Sequence, residues 1–352
     1  MSTMETRSFT IEFLTPAFLG NARQSGQWRT PPIKALLRQW WRVAYVAQRG
    51  FKLDTNQLRL DEGLLFGAAA DGAGNRSLVR LRLDRWDEGK LKSWNGLEPG
   101  TVAHPEVQRT GYKVGAHAYL GFGPLDGRGG TKLAKANAAI QATETAQLSL
   151  AFPQHQAELL DQALWLMGRF GTLGGRSRNG WGSFVLRSLS SGEGRGEGAK
   201  PTGALPLRDW RQCLQLDWPH ALGKDQSGPL IWQTQAHGDW KSLMRELAEI
   251  KIGLRTHFRF NAGHTNQPEP RHWLSYPVTN HSVRSWGNNA RLPNSLRFKV
   301  RTTTEGQLTG AIFHVPCQPP ASFQPQTAQL VKVWGQVHAC LDGDKKLKRS
   351  PQ

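Results

Sequence analysis

Three cysteines, Cys213, Cys317 and Cys340, are all that the 352 residues contain, and no two of them form a CxxC pair. That count and spacing support neither a disulfide framework nor a four-ligand zinc site, and a reducing cytoplasm is the expected compartment. No stretch approaches the roughly 18 apolar residues of a membrane span. The N-terminus also lacks a signal-peptide core, because Glu5 and Arg7 precede a short strand-like run. No membrane partner is expected. Acid is scarce as well: 27 Asp and Glu face 45 Lys and Arg, a net charge of +18. Such an imbalance points to a polyanionic partner, with nucleic acid leading.

The shortage of acid is uneven. Between Glu12 and Asp54 there is none, while Arg23, Arg29, Lys34, Arg38, Arg42, Arg49 and Lys52 fall inside. A second acid-free window, between Asp161 and Glu193, holds Arg169, Arg176, Arg178 and Arg187. A third, between Glu269 and Glu305, holds Arg271, Arg284, Arg291, Arg297, Lys299 and Arg301.

What is abundant is glycine, and it concentrates in residues 171–184, GTLGGRSRNGWGSF. Glycines bare the backbone to a close-approaching partner, while Arg176 and Arg178 offer planar forks that match phosphate oxygens. The stretch has no Gly-Lys-[Ser/Thr] ending and does not follow G-x-G-x-x-G, so a nucleotide cradle is not supported and no cofactor is expected. Asn179-Gly180 is also a strong turn dipeptide in its own right, which leaves a purely structural hairpin as the competing reading.

Residues 8–14 alternate as a strand, and Thr15-Pro16 ends it. A helix is predicted over 32–48 with Thr30 as N-cap and the Pro31-Pro32 pair in its first turn. Ile33, Leu36, Leu37, Trp40, Ala44 and Ala47 form its apolar stripe; Lys34, Arg38 and Arg42 recur every four residues on another face. No acid stands four residues from these cations, so the row reads either as a solvated face or as a track for phosphates. Strands are predicted over 77–86, 145–152 and 181–189, and a helix over 154–170. Residues 86–143, rich in glycine, read as an inserted, partly mobile arm.

The order is β-α-β-β-α-β, an α+β arrangement of ferredoxin-like type, also used by RNA-recognition modules. Residues 190–204 read as a linker. The rest, 205–352, reads as a shorter, degenerate copy: a strand over 213–218, a helix over 239–252, a hairpin over 296–303 and 307–315, and a closing helix over 327–341. Its fourth strand is not visible, and 256–294 resembles a second insertion.

Trp28, Trp40, Trp41 and Trp181 lie among arginines, where tryptophans either stack bases or fill a core. Eleven histidines raise a metal-independent ribonuclease as an alternative, with His257 and His264 as acid–base candidates and His272 and His281 nearby. Nothing in the sequence pairs them. His314-x-x-Cys317 is an isolated ligand pair, and Glu246 with Glu249 reads as a solvent-facing pair on a helix, so no metal site is supported.

Thr15-Pro16-Ala17-Phe18-Leu19-Gly20-Asn21-Ala22, followed by residues 29–42 (RTPPIKALLRQWWR), resembles the N-terminal pattern of the RAMP proteins of CRISPR effector complexes, nearest to the first subunit family of the type III-B Cmr module. Residues 174–184 resemble that family's glycine-rich loop. The resemblance implies two ferredoxin-like folds, binding of guide or target RNA in a basic cleft, and assembly with other Cmr or RAMP subunits, which carry the nuclease residues. The expected RNA contacts are then Lys34, Arg38 and Arg42 from the helix and Arg176 and Arg178 from the loop. Arg23, Arg169, Gly174, Gly175, Asn179 and Trp181 complete the candidate set. A guide-processing RAMP nuclease and another type III RAMP scaffold subunit are the alternatives.

Overall fold

The structure is a computed structural model and describes residues 3–52, 54–69, 74–106, 114–134, 138–189, 204–287 and 289–350. Strand β1 (Met4–Phe13) buries Phe9, Ile11 and Phe13 on alternate positions. Helix α1 (Thr30–Gln48) begins two residues before the expected Pro32: Arg29, not Thr30, is its N-cap and makes no side-chain cap bond, so Thr30 is the first helical residue. Pro31 and Pro32 carry no N–H, which removes two of the donors that a cap would serve. Trp41, Val43, Tyr45 and Val46 are buried beside the expected stripe.

A helix absent from the sequence reading follows, α2 (Thr55–Phe66), capped by Asp54, whose Oδ1 accepts from the amides of Asn56 and Gln57 at 2.9 and 3.1 Å. Then come β2 (Arg80–Leu83), the short α3 (Ala116–Gly121), β3 (Thr145–Pro153), α4 (Ala157–Phe170) and β4 (Phe184–Ser188). The four strands pair antiparallel in the spatial order β2-β3-β1-β4. Helices α1 and α4 cover one face, where Leu37, Trp40, Leu164 and Met167 meet Ile11, Leu148 and Leu186 in a single apolar cluster.

In the C-terminal half the strand expected over 213–218 is not formed. Asp209 instead caps a one-turn helix, α5 (Trp210–Cys213), accepting from the Arg211 and Gln212 amides, and this buries Trp210 and Cys213. The sheet strands are β5 (Ile231–Thr234), then after α6 (Trp240–His257) the hairpin β6 (Leu296–Thr302) and β7 (Leu308–His314), then after α7 (Thr327–Asp342) the three-residue β8 (Leu347–Arg349). Their spatial order, β6-β7-β5-β8, repeats that of the first sheet, again antiparallel throughout. The missing fourth strand is therefore present at the very end of the described chain. The linker expected over 190–204 lies outside the described residues except for Ala204.

Residues 86–143 are not a detached arm where described. Leu91, Trp94, Val102, Leu120 and Leu125 are buried in one cluster with Trp181 and with Leu243, Met244 and Leu247 of α6. Residues 256–294 likewise bury Trp273, Leu274, Tyr276, Val283 and Trp286. Their apolar positions are scattered among glycines and polar residues, so neither a helix nor a strand period reveals them. Among the described residues no helix is long and apolar enough to cross a membrane.

The two halves are joined at the turn that ends the glycine loop. The Thr15 hydroxyl donates to the Gly180 carbonyl at 2.8 Å and accepts from the Ser183 amide at 3.0 Å; the Ser183 hydroxyl also donates to Gly180 and accepts the Val300 amide of β6 at 2.8 Å. Gly182 sits at φ +65°, and an added Cβ would drive into the Leu173 carbonyl. We expect Gly182→Ala to cost about 3 kcal/mol or more in denaturant unfolding. Gly335→Ala, in α7 with open space around it, should instead add up to about 1 kcal/mol.

Candidate nucleic-acid interface at the seam of the two sheets

Strand β6 is built as two faces. Phe298 and Val300 point into the C-terminal core, while Arg297, Lys299 and Arg301 alternate with them and face the N-terminal half. Phe313, opposite Arg297 in the hairpin, packs its ring 5.1 Å from Phe170 of α4. Two of the three cations end on the last carbonyls of α4. Lys299 Nζ donates to Gly171 O at 2.6 Å and to Phe184 O at 2.9 Å, and Arg301 Nε donates to Arg169 O at 2.8 Å. Phe184 belongs to β4, but the Arg169 and Gly171 carbonyls stand at the C-terminal end of α4, the negative end of the helix dipole, where a cation is stabilised.

The glycine loop forms the other wall. Gly174, at φ +96°, lies so close to the Phe18 carbonyl that no Cβ fits, and the Gly175 amide donates to that carbonyl at 2.9 Å. Arg176 is exposed, at φ +55°, and its Nε donates to the Phe122 carbonyl. Asn179 donates from Nδ2 to Leu120 O at 2.7 Å and accepts from Lys251 Nζ of α6. Arg255, one turn further along α6, donates to the Ser275 hydroxyl at 2.8 Å. Burial, together with the charges of Arg255 and Arg176, holds the Lys251 ammonium well below the usual lysine range. Burial also lowers Arg176, Arg178 and Arg255, and the Glu106 carboxylate, itself paired with Arg271, offsets part of the effect on Arg255. Among the described residues, none of Arg176, Arg178, Lys251, Arg255 and Arg297 forms an ion pair with a carboxylate.

The expected second wall is different. Arg38 and Arg42 are not left unneutralised: both ion-pair with the buried Glu62 carboxylate of α2. The acid lies 20 and 24 residues away in sequence, out of reach of any i±4 rule. Lys34 is half-buried, and burial with the neighbouring Arg38 charge lowers its pKa. Arg38 and Arg42 thus face α2; α1 meets the seam through Leu36 and Trp40, which lie against Gly171, and through Gln39, which lies against Arg297 of β6. Arg23 is exposed in a turn closed by Asn21, whose Oδ1 accepts the Arg23 amide at 2.8 Å, and Arg169 is exposed beyond the carbonyl it lends to Arg301.

Base stacking by tryptophan is also corrected. Trp28, Trp40, Trp41 and Trp181 are all at most 1% exposed. Trp28 donates to Glu144 Oε2 at 3.3 Å, and Trp181 lies at the centre of an aromatic cluster, 5.6 Å from Phe18, 5.5 Å from Trp94 and His117, and 6.0 Å from Trp240. Lys251 and Arg255 escape the sequence reading, although their i, i+4 spacing is the same signal that singles out the α1 row.

The histidines are engaged locally. His264 Nδ1 lies 2.8 Å from the Ser282 hydroxyl, His272 Nδ1 accepts the Glu269 amide at 2.9 Å, and His281 stacks on Phe260 at 3.8 Å. His257 is exposed at the end of α6, with its ring edge-on to Phe258. His314 meets the Ser295 hydroxyl and His338, each at 2.9 Å, which leaves it no ring nitrogen for Cys317 or a metal. Glu246 pairs with His237, and Glu249 with Arg245 and Lys346. Among the described residues no three His, Cys, Asp or Glu stand together as a metal site.

The architecture is shared with known structures at low sequence identity. A cryo-EM structure of the type III-B Cmr-beta bound to cognate target RNA aligns over 94% of this chain and 99% of its own, with 10% identity and a TM-score of 0.50. A second Cmr-beta structure, with cognate target RNA and AMPPnP in the presence of single-stranded DNA, covers 96% and 100% at 11% identity and a TM-score of 0.47. The crystal structure of Cmr1 from Pyrococcus furiosus in its apo form covers 92% of each chain at 16% identity and a TM-score of 0.46. No curated protein matches the chain. The profile of the RAMP superfamily, however, matches residues 10–185, half of the sequence, from the end of β1 through the proline-led helix α1 to the whole glycine loop, and the chain belongs to that superfamily.

Proposed function

We propose that the chain is a non-catalytic, RNA-holding subunit of a type III-B (Cmr) RNA-guided CRISPR effector complex in the cytoplasm, built from two ferredoxin-like units. The observation that carries this reading is the group of cations at the seam, Arg176, Lys251 and Arg255, held together without an ion-paired carboxylate and lowered in pKa by burial. Like charges gathered in a partly desolvated place repel one another, and a polyanion drawn across them supplies the missing countercharge. RAMP membership and the two Cmr-like motifs supply the system, and the repeated strand order supports the paired ferredoxin-like reading. RNA is contacted here through its phosphates rather than by stacking on tryptophan, since the candidate rings are interior.

Two expectations follow. In fluorescence polarisation with single-stranded RNA, the triple variant Arg176→Gln, Lys251→Gln, Arg255→Gln should bind more weakly, and the slope of log K against log salt should flatten by about 0.7 for each phosphate no longer engaged. Arg38→Ala with Arg42→Ala should change it less, because Glu62 already engages those cations. An unchanged slope in the triple variant, or RNA cleavage by the isolated chain, would overturn the reading. The second expectation concerns stability without RNA. Lys251 gives up its proton at lower pH when folded than when unfolded, so between those two pH values the unfolded chain binds the extra proton and stability rises with pH. Lys251→Met should remove that rise in a series of thermal melts and raise Tm at neutral pH while weakening RNA binding.

A further inference from the structure

Of the three cations on the inner face of β6, Arg297 is the one not accounted for by α4. It is 9% exposed and sits at the point where the two halves exchange backbone bonds: the Phe298 amide donates to Arg178 O at 3.0 Å, and Asn179 bridges Phe298 in parallel register. That register sets Arg178 beside Arg297 across the seam. Gln39 of α1 closes the third side. With its amide oxygen turned toward Arg297 it accepts from both terminal guanidinium nitrogens at 2.9 Å, while Arg297 Nε remains buried without a partner.

Among the described residues no carboxylate pairs with either guanidinium of this corner. The Cys317 thiol feels both guanidinium charges, but burial outweighs their pull and pushes it up to about 11, so it stays neutral. The exposed Asp217 bears on Cys317 and on neither guanidinium. Burial and the Arg178 charge together lower Arg297 to about 9. Two guanidiniums sharing a low-dielectric corner repel, and a neutral amide returns only part of what burial removes. The arrangement is one ligand short of balance.

We propose that Arg178, Arg297 and Gln39 form a binding site for a single phosphate group, a tetrahedral oxyanion bridging the two guanidinium forks. A carboxylate has oxygens for one bidentate fork, whereas a phosphate offers enough for two forks set at an angle. Arg178, half-buried, is the entry side, and Arg297 the inner anchor. The group is either a backbone phosphate of bound RNA or free inorganic phosphate; the site refines the RNA-holding reading in the first case and stands without it in the second.

The test uses the full-length chain and inorganic phosphate, read by thermal shift against sodium chloride at matched ionic strength. Phosphate should raise Tm saturably, by about 5 °C at a hundred-fold excess over its Kd. Arg178→Gln should reduce that shift. Arg297→Gln risks misfolding, so the deciding variant is Gln39→Glu, which sets a carboxylate on Arg297 in the same shape. It should raise Tm without phosphate and abolish the phosphate response. With single-stranded RNA, a fall of about 0.7 in the log–log salt slope of Gln39→Glu identifies a backbone phosphate as the occupant, and an unchanged slope with the phosphate response intact in the wild type identifies the free anion. A wild-type chain that fails to bind RNA but keeps the phosphate response defeats the RNA-holding reading and leaves this site standing. Phosphate that stabilises no more than chloride overturns the site.

Discussion

The turn from Gly180 to Ser183 is the constraint on which the rest of the molecule depends. Its glycines allow the backbone to come within hydrogen-bond range of Thr15 on one side and Val300 on the other, so a single pair of hydroxyls ties the first strand, the last strand of the N-terminal sheet and the edge strand of the C-terminal sheet. Trp181 then inserts into a ring cluster drawn from the loop after β1, the inserted segment and α6. A large side chain at a point where backbone must pass closely is possible only because the residues flanking it have none. Gly180 and Gly182 both take positive φ, which an ordinary residue adopts at a cost.

The electrostatics follow from that docking. Once β6 is laid against the C-terminal end of α4, its alternate residues must lie at an interface between two packed halves, and in this sequence those residues are cations. Lys299 and Arg301 are stabilised there because backbone carbonyls at the end of α4 and the start of β4 accept from them. Arg297 meets the neutral amide of Gln39, and among the described residues neither it nor Arg178 has an ion-paired carboxylate. On α6 the same distinction separates Arg245, ion-paired with Glu249, from Lys251 and Arg255, which donate to the neutral side chains of Asn179 and Ser275. Under the proposed reading, the charge that meets RNA is therefore a small fraction of the +18 carried by the chain. It is set by which cations the fold leaves without a carboxylate, not by which windows of sequence lack acid.

This explains what could be read in advance and what could not. β1, α1, α4 and the β6–β7 hairpin carry clean periods, because each presents one face to a core, and their bounds fall within a few residues of expectation. Helix α2 was invisible because Leu60 and Leu64 are exposed while Glu62 is buried, which inverts the usual pattern. Without α2 the partner of Arg38 and Arg42 could not be seen, and the row looked like a phosphate track. Trp181 stood among arginines in sequence, yet its environment is set by Trp94, His117 and Trp240, between 59 and 87 positions away along the chain. Strand β8 has three residues and no alternation to detect; it is held by pairing to β5 and by Arg349, which ion-pairs with Asp225 and Asp342.

The two sheets repeat one strand order but not one role. In the C-terminal sheet the face opposite α6 and α7 is covered, since Phe313 meets Phe170 and the β6 cations meet α4. A ligand that lies on the open sheet in an RNA-recognition module has no room there. In the N-terminal sheet the corresponding face carries Thr10, Gln147 and the edge arginines Arg80 and Arg82, with no aromatic platform among them. The repeated strand order thus comes with one sheet face covered by the other half and with no aromatic side chain among the residues named on the other. The unmatched cations have gathered along the line where the halves join. Under the RNA-holding reading proposed above, a partner on that line would touch α6 and the glycine loop together, and its affinity would depend on the halves keeping their relative position. The hydroxyls of Thr15 and Ser183 tie that position by bonding Gly180 and Val300.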